Sequence, residues 1–91
     1  MRFLMRIVIP TPAENSIGDD PQLEERLRLL YVSVGGLKAY SRNEDGRRVD
    51  YILVDFSDLS EITTRAKRIF ETLKVKTEFY PQKSGDELFG L

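Results

Sequence analysis

The chain has 91 residues, with 14 Lys and Arg against 15 Asp and Glu, and a formal net charge of -1. It holds no cysteine, histidine or tryptophan, which excludes disulfides, thiolate nucleophiles, the usual metal ligands and the usual near-neutral general base. The charges are interspersed, so no field draws in nucleic acid or an anionic membrane, and catalysis, if any, falls to carboxylates, Tyr, Lys, Arg or Asn.

The opening "MRFLMRIVIP" places Arg2 and Arg6 beside apolar residues. The apolar run is too short for a span or a secretory leader and no small-residue cleavage site follows, so it reads as a strand of a cytoplasmic protein. Phe3, Met5, Ile7 and Ile9 alternate with Leu4, Arg6 and Val8, and Pro10 and Pro12 end the run. A loop, "TPAENSIGDD", leads to Asp20 and Pro21 as a helix start, with Glu24 and Glu25 in the first turn. Leu23, Leu27, Leu30, Tyr31 and Val34 form one apolar stripe, and Gly35-Gly36 stops the helix.

"LKAYSR" reads as a second strand, Asp45-Gly46 as a hairpin turn, and "RRVDYILVDF", Arg47 to Phe56, as a third strand antiparallel to the second. Asp58 and Glu61 have capping-box spacing at the start of a second helix, whose stripe is Ile62, Ala66, Ile69, Phe70 and Leu73. A fourth strand, "KVKTEFYP", sets Val75, Thr77 and Phe79 against Lys76, Glu78 and Tyr80. Residues 81–91 form a tail ending in Leu88, Phe89 and Leu91.

The order β-α-β-β-α-β predicts a single α+β domain over 1–91, a ferredoxin-like sandwich. Two right-handed crossovers set both helices on one face of a four-stranded antiparallel sheet whose first and third strands are central. Ile52, Val54 and Phe56 then face the helices. Leu4, Arg6, Val8, Tyr51, Leu53 and Asp55 lie on the open face, joined by Tyr40 and Tyr80 from the edges. Left bare, that face is an apolar patch of the kind that marks an interface. Two sheets pressed together would bury it in a homodimer, and a tail folded back across its own sheet is the alternative cover.

Arg6 and Asp55 are expected to be neighbours on the central strands. Either they form an ion pair inside the interface, the reading given more weight, or they line a cavity where Arg6 holds an anionic or carbonyl group and Asp55 or Tyr51 acts on it. Tyr40, Tyr51 and Tyr80 are more often interface residues than proton donors. Asn15 is expected to make a local backbone hydrogen bond, with a cavity mouth as the lesser role, and Arg26, Arg28, Arg65, Lys67 and Arg68 are expected to form a solvated face.

The short motifs "IP" and "AEN" of "IPTPAENS", the "AY" of strand two, "NEDGRR", "VDFSDLSEI", "EFYP" and the "DEL" of the tail, taken in order, resemble a family of small uncharacterised bacterial proteins. That family has a ferredoxin-like fold and is related to the dimeric α+β barrel group. The resemblance implies a homodimer with facing sheets, and it brings no activity with it. The wider group is similar to cofactor-independent monooxygenases and muconolactone isomerase-like enzymes, several of which use His or Trp, residue types this chain lacks.

The functional expectations are therefore a small homodimeric binding or accessory protein holding a small apolar or anionic ligand or none, or a cofactor-independent isomerase or monooxygenase using Asp55 or a tyrosine. Neither needs a cofactor or a metal. RNA binding is a remote third, because Asp50 stands where RNA-recognition strands carry an aromatic or glycine and the first strand's open face has no aromatic.

Overall fold

The computed structural model describes residues 2–81 of the chain. Strand β1 spans Arg2–Val8, β2 Gly36–Glu44, β3 Arg47–Asp55 and β4 Thr77–Pro81; helix α1 spans Leu23–Ser33 and α2 Ser60–Leu73. The strands form one antiparallel sheet in the order β2-β3-β1-β4, so β1 and β3 are central as the element order predicts. This is the ferredoxin-like α+β fold.

The alternation along the strands sets the core. Met5, Ile7, Ile52, Val54 and Phe56 pack with Leu27, Leu30, Tyr31 and Val34 of the α1 segment and Ile69 and Leu73 of α2 in one buried cluster. Phe56 stands between Phe3 and Phe79, with ring centroids 5.4 and 5.9 Å away, within the range where tilted aromatic pairs attract.

The turns and caps follow local chemistry. Asp45 and Gly46 have φ of +55° and +78°, the two positive values that a type I′ hairpin requires. Glu61 accepts from the backbone N–H of Ser57 and Asp58 at 2.7 and 3.0 Å, and Asp58 accepts from Ser60 N–H at 2.8 Å, the reciprocal capping that their spacing predicts. Asp20 accepts from Gln22 N–H at 2.8 Å, and the regular helix begins two residues beyond Pro21, after a turn. A single 3₁₀ turn, Ser16–Asp19, interrupts the preceding loop. At the other end Gly35, at φ +76°, takes the left-handed conformation that ends α1.

Three features depart from the sequence reading. Phe70 is 50% exposed, because Ile69 and Leu73 point inward and Phe70 falls at the edge of the stripe, over a groove shared with Ile62, Ala66 and Phe79. Arg65 is not on the solvated face. It donates to the Val34 carbonyl at 2.8 Å and lies 4.5 Å over the Phe56 ring, satisfying an orphan carbonyl at the end of α1. The third is Asp50, 1% exposed and the buried charge of the described residues. It accepts from the Tyr31 hydroxyl, from Ser41 at 2.8 Å and from Arg48 Nε at 2.9 Å. Burial, with the Asp50 carboxylate added to it, pushes the Tyr31 hydroxyl well above its ordinary value, so it stays a donor at physiological pH.

Removing the carboxylate leaves the buried Tyr31 hydroxyl without its acceptor and takes one partner each from the more exposed Ser41 and Arg48. Asp50→Ala is expected to lower stability by about 3–5 kcal/mol, against about 1–3 kcal/mol for Tyr31→Phe; urea unfolding of the two variants measures the difference.

Candidate functional site

The open face of the sheet is laid out by the strand registers. Lys38, Leu53, Leu4 and Tyr80 form one row across the four strands, and Tyr40, Tyr51, Arg6 and Glu78 form the next. Leu4, Val49 and Tyr51 make a second apolar cluster, joined by Val8 and Tyr80. Leu4 is 1% exposed and Leu53 4% within the single chain, so the bare central patch expected there is not formed. The exposed residues of this face lie at its rim: Tyr40, Lys38 and Arg42 on β2, Glu78 on β4, and Asp55 and Arg2 at one end. The tail's Leu88, Phe89 and Leu91, the alternative cover, lie outside the described residues.

Arg6 stands at the centre of a polar network that crosses all four strands. Its guanidinium donates to Glu78 at 2.7 Å, to Glu44 at 3.0 Å and, through Nε, to the Tyr51 hydroxyl at 3.3 Å. The Tyr51 hydroxyl in turn donates to Glu44, and the Tyr80 hydroxyl to Glu78 at 2.6 Å. Each edge strand supplies one carboxylate, and the central cation joins them.

The titration of these groups follows from the contacts. The Tyr51 hydroxyl and then Arg6 hold Glu44 below the usual carboxylate range, and Tyr80 with Arg6 does the same for Glu78. Burial and Glu44 push Tyr51 up, Glu78 pushes Tyr80 up, and Arg6 is raised by Glu44 first of all. The groups stabilise one another's ordinary charge states, the opposite of what an acid or base poised near neutrality requires.

The expected pairing of Arg6 with Asp55 is not formed. Arg6 lies opposite Tyr51, while Asp55 lies opposite Arg2, four residues further along β3 and about 13 Å away at the rise of a strand. Sequence reasoning placed both residues on the correct face and misjudged their height on it, because facing strands run in opposite directions and the offset is set by the whole ladder. It also passed over Glu44 and Glu78. The alternation that put Tyr40 and Tyr80 on the open face puts these two there as well, so the signal was available.

Asn15 does more than the local bond expected of it. Its side chain accepts from Ile17 N–H at 3.0 Å and donates to the Leu73 carbonyl at 3.1 Å, tying the loop after β1 to the end of α2. It also lines a groove of about 450 Å³ with Val8, Pro10, Glu14, Arg47, Lys74, Val75 and Lys76, a different place from the open-face cavity whose mouth was its lesser role.

No family model matches the chain, and no curated protein matches it. Among solved structures, an uncharacterised protein from Thermotoga maritima is similar, with a TM-score of 0.56 and 13% identity over 88% of this chain and 94% of that one. At that identity the likeness is one of fold, and it supports the ferredoxin-like architecture over nearly the full length of both chains. Among the described residues no group of three acidic side chains is placed to hold a metal ion, and no helix is long and apolar enough to cross a membrane.

Two measurements test the network. In a double-mutant cycle, Arg6→Met with Glu44→Gln is expected to show coupling of about 0.5–1 kcal/mol, since both side chains are about a quarter exposed and water screens the pair. Arg6→Met with Asp55→Leu is expected to be additive within about 0.3 kcal/mol. For pH, Glu44 and Glu78 are depressed in the folded state. Their stabilisation is therefore complete above the unfolded value of about 4.3 and is lost as pH falls through the lower folded values. Between pH 7 and pH 3 the variant Glu44→Gln with Glu78→Gln should lose less stability than the wild type in chemical denaturation.

Proposed function

We propose that the protein is a small cytoplasmic binding or accessory protein that works as a homodimer joined through the open sheet face, in the manner of a dimeric α+β barrel. A small apolar or anionic ligand between the sheets belongs to the same reading. The observation that carries it is the closed network on that face. Arg6, which would hold a ligand, and Tyr51, one of the two residues that would act on it, have their polar atoms engaged with each other and with Glu44 and Glu78, so the face offers a surface more than a reaction centre. The catalytic alternative, a cofactor-independent isomerase or monooxygenase using Asp55 or Tyr51, loses the Arg6–Asp55 juxtaposition it needed.

Charge supports the self-association. Lys38 and Arg42 lie on the β2 side of the face and Glu78 on the β4 side. A two-fold axis parallel to the strands lays β2 of one copy over β4 of the other, bringing the cationic edge against the anionic one. Because the central residues are already buried within one chain, a second sheet adds contact chiefly at the rim, through Tyr40, Tyr80 and these charges. The interface then sits near the small end of the stable class and its affinity falls with salt.

Light scattering coupled to size exclusion tests this. A two-chain mass is expected at tens of micromolar and low ionic strength, moving toward one chain at about 1 M salt and in Arg42→Glu. A one-chain mass for the wild type across that range overturns the dimer. Leu53→Asp is a poor probe of assembly: at 4% exposure in the single chain the new carboxylate is expected to unfold the protomer itself.

A further inference from the structure

The groove at the end of β1 has the composition of an anion site. Its lining holds three cations, Arg47, Lys74 and Lys76, against one carboxylate, Glu14, with Val8, Pro10 and Val75 as apolar wall. Its volume of about 450 Å³ lies in the range that small ligands occupy. Lys74 and Lys76 are exposed and form no ion pair among the described residues, so both ammonium groups are available to a ligand.

Arg47 is held in a way that leaves one donor over. Its terminal nitrogens donate to the two oxygens of Glu14, at 3.0 and 2.5 Å, and to the Ile9 carbonyl at 3.4 Å. Its Nε is buried and has no hydrogen-bond partner. That N–H is sealed from solvent and so lies out of reach of a ligand in the groove; the guanidinium acts there through its charge. Glu14, for its part, is fixed as an anion: Arg47 and the Thr11 backbone N–H hold it down to about 2. It orients the guanidinium and neutralises one of the three positive charges.

The walls are pre-organised. Asn15 bridges the β1 loop and the Leu73 carbonyl, and the Lys74 N–H closes α2 by donating to the Phe70 carbonyl at 2.8 Å. Lys74 does this at φ +58°, a left-handed conformation that glycine usually takes at the end of a helix. A cation thus stands at a backbone position that disfavours any side chain.

We propose that this groove binds a small oxyanion, the head of a carboxylate or phosphate compound with a short apolar body, held by Lys74 and Lys76 beside the Arg47 guanidinium, with its body against Val8, Pro10 and Val75. The two lysines supply charge and hydrogen-bond donors, and Arg47, held in place by Glu14, adds to the positive field of the wall. The site is separate from the Arg6 network and does not depend on the dimer.

The test is a titration of ¹⁵N-labelled protein with inorganic phosphate, acetate and phenylacetate at constant ionic strength. Saturable shifts confined to Asn15, Arg47, Lys74 and Lys76 are expected for at least one of them. Phosphate alone saturating would identify a phosphate site; phenylacetate binding more tightly than acetate would identify a carboxylate with an apolar body. The double variant Lys74→Gly, Lys76→Ala changes two exposed side chains and removes the left-handed strain, so it should fold at least as stably as the wild type and bind at least tenfold more weakly. Lys67→Ala, on α2 outside this groove, should bind as the wild type does. No saturable shift with any of the three anions, an unchanged affinity in the double variant, or an equal loss in Lys67→Ala overturns the proposal.

Discussion

The pairing of β1 with β3 is the constraint on which the rest of this structure depends. The two strands lie at the centre of the sheet, seven residues of β1 matched one to one with residues of β3 from Arg2↔Asp55 to Val8↔Val49. Side chains on a strand alternate between faces, so this single register decides two surfaces at once. It sends Met5, Ile7, Ile52 and Val54 to the helices, and it sets Leu4 beside Leu53 and Arg6 beside Tyr51 on the other side. A slip of one residue would either put Arg6 into the helix-facing core or turn Ile52 onto the open face.

The two faces solve the burial of polar groups differently. Under the helices a single carboxylate, Asp50, is enclosed and satisfied by three donors from α1, β2 and its own strand. On the open face the polar groups are half-buried and form a chain running from β2 to β4, with Arg6 as its centre. The first arrangement fixes the position of α1 over the sheet through Tyr31. The second ties the two edge strands to the central pair through side chains as well as through the backbone ladder, which matters for β4, a strand of only five residues.

Both networks pair their charged groups internally, and this separates them from the groove at the end of β1. There three elements converge, the loop after β1, the start of β3 and the link from α2 to β4, and bring together three positive charges with the single carboxylate of Glu14 to match them. Within a chain of net charge -1, that local excess comes from topology: Arg47 and Lys74 are 27 positions apart in the sequence.

The sequence by itself determined the element order, the turn at Asp45-Gly46, the capping of α2 by Asp58 and Glu61, and which residues of each strand share a face. All of these rest on local chemistry or on a fixed period, two for strands and 3.6 for helices, and so they can be read one segment at a time. It did not determine heights along the sheet or the neighbours across it. Arg6 was matched with Asp55 in place of Glu44 and Glu78, Arg65 was left in solvent though it caps α1, and Phe70 was counted into a core whose edge it occupies. Cross-strand partners and helix placement depend on pairings between residues distant in sequence, on the summed fit of whole elements, and no single segment carries that information. Only the folded chain brings Arg47, Lys74 and Lys76 around one groove.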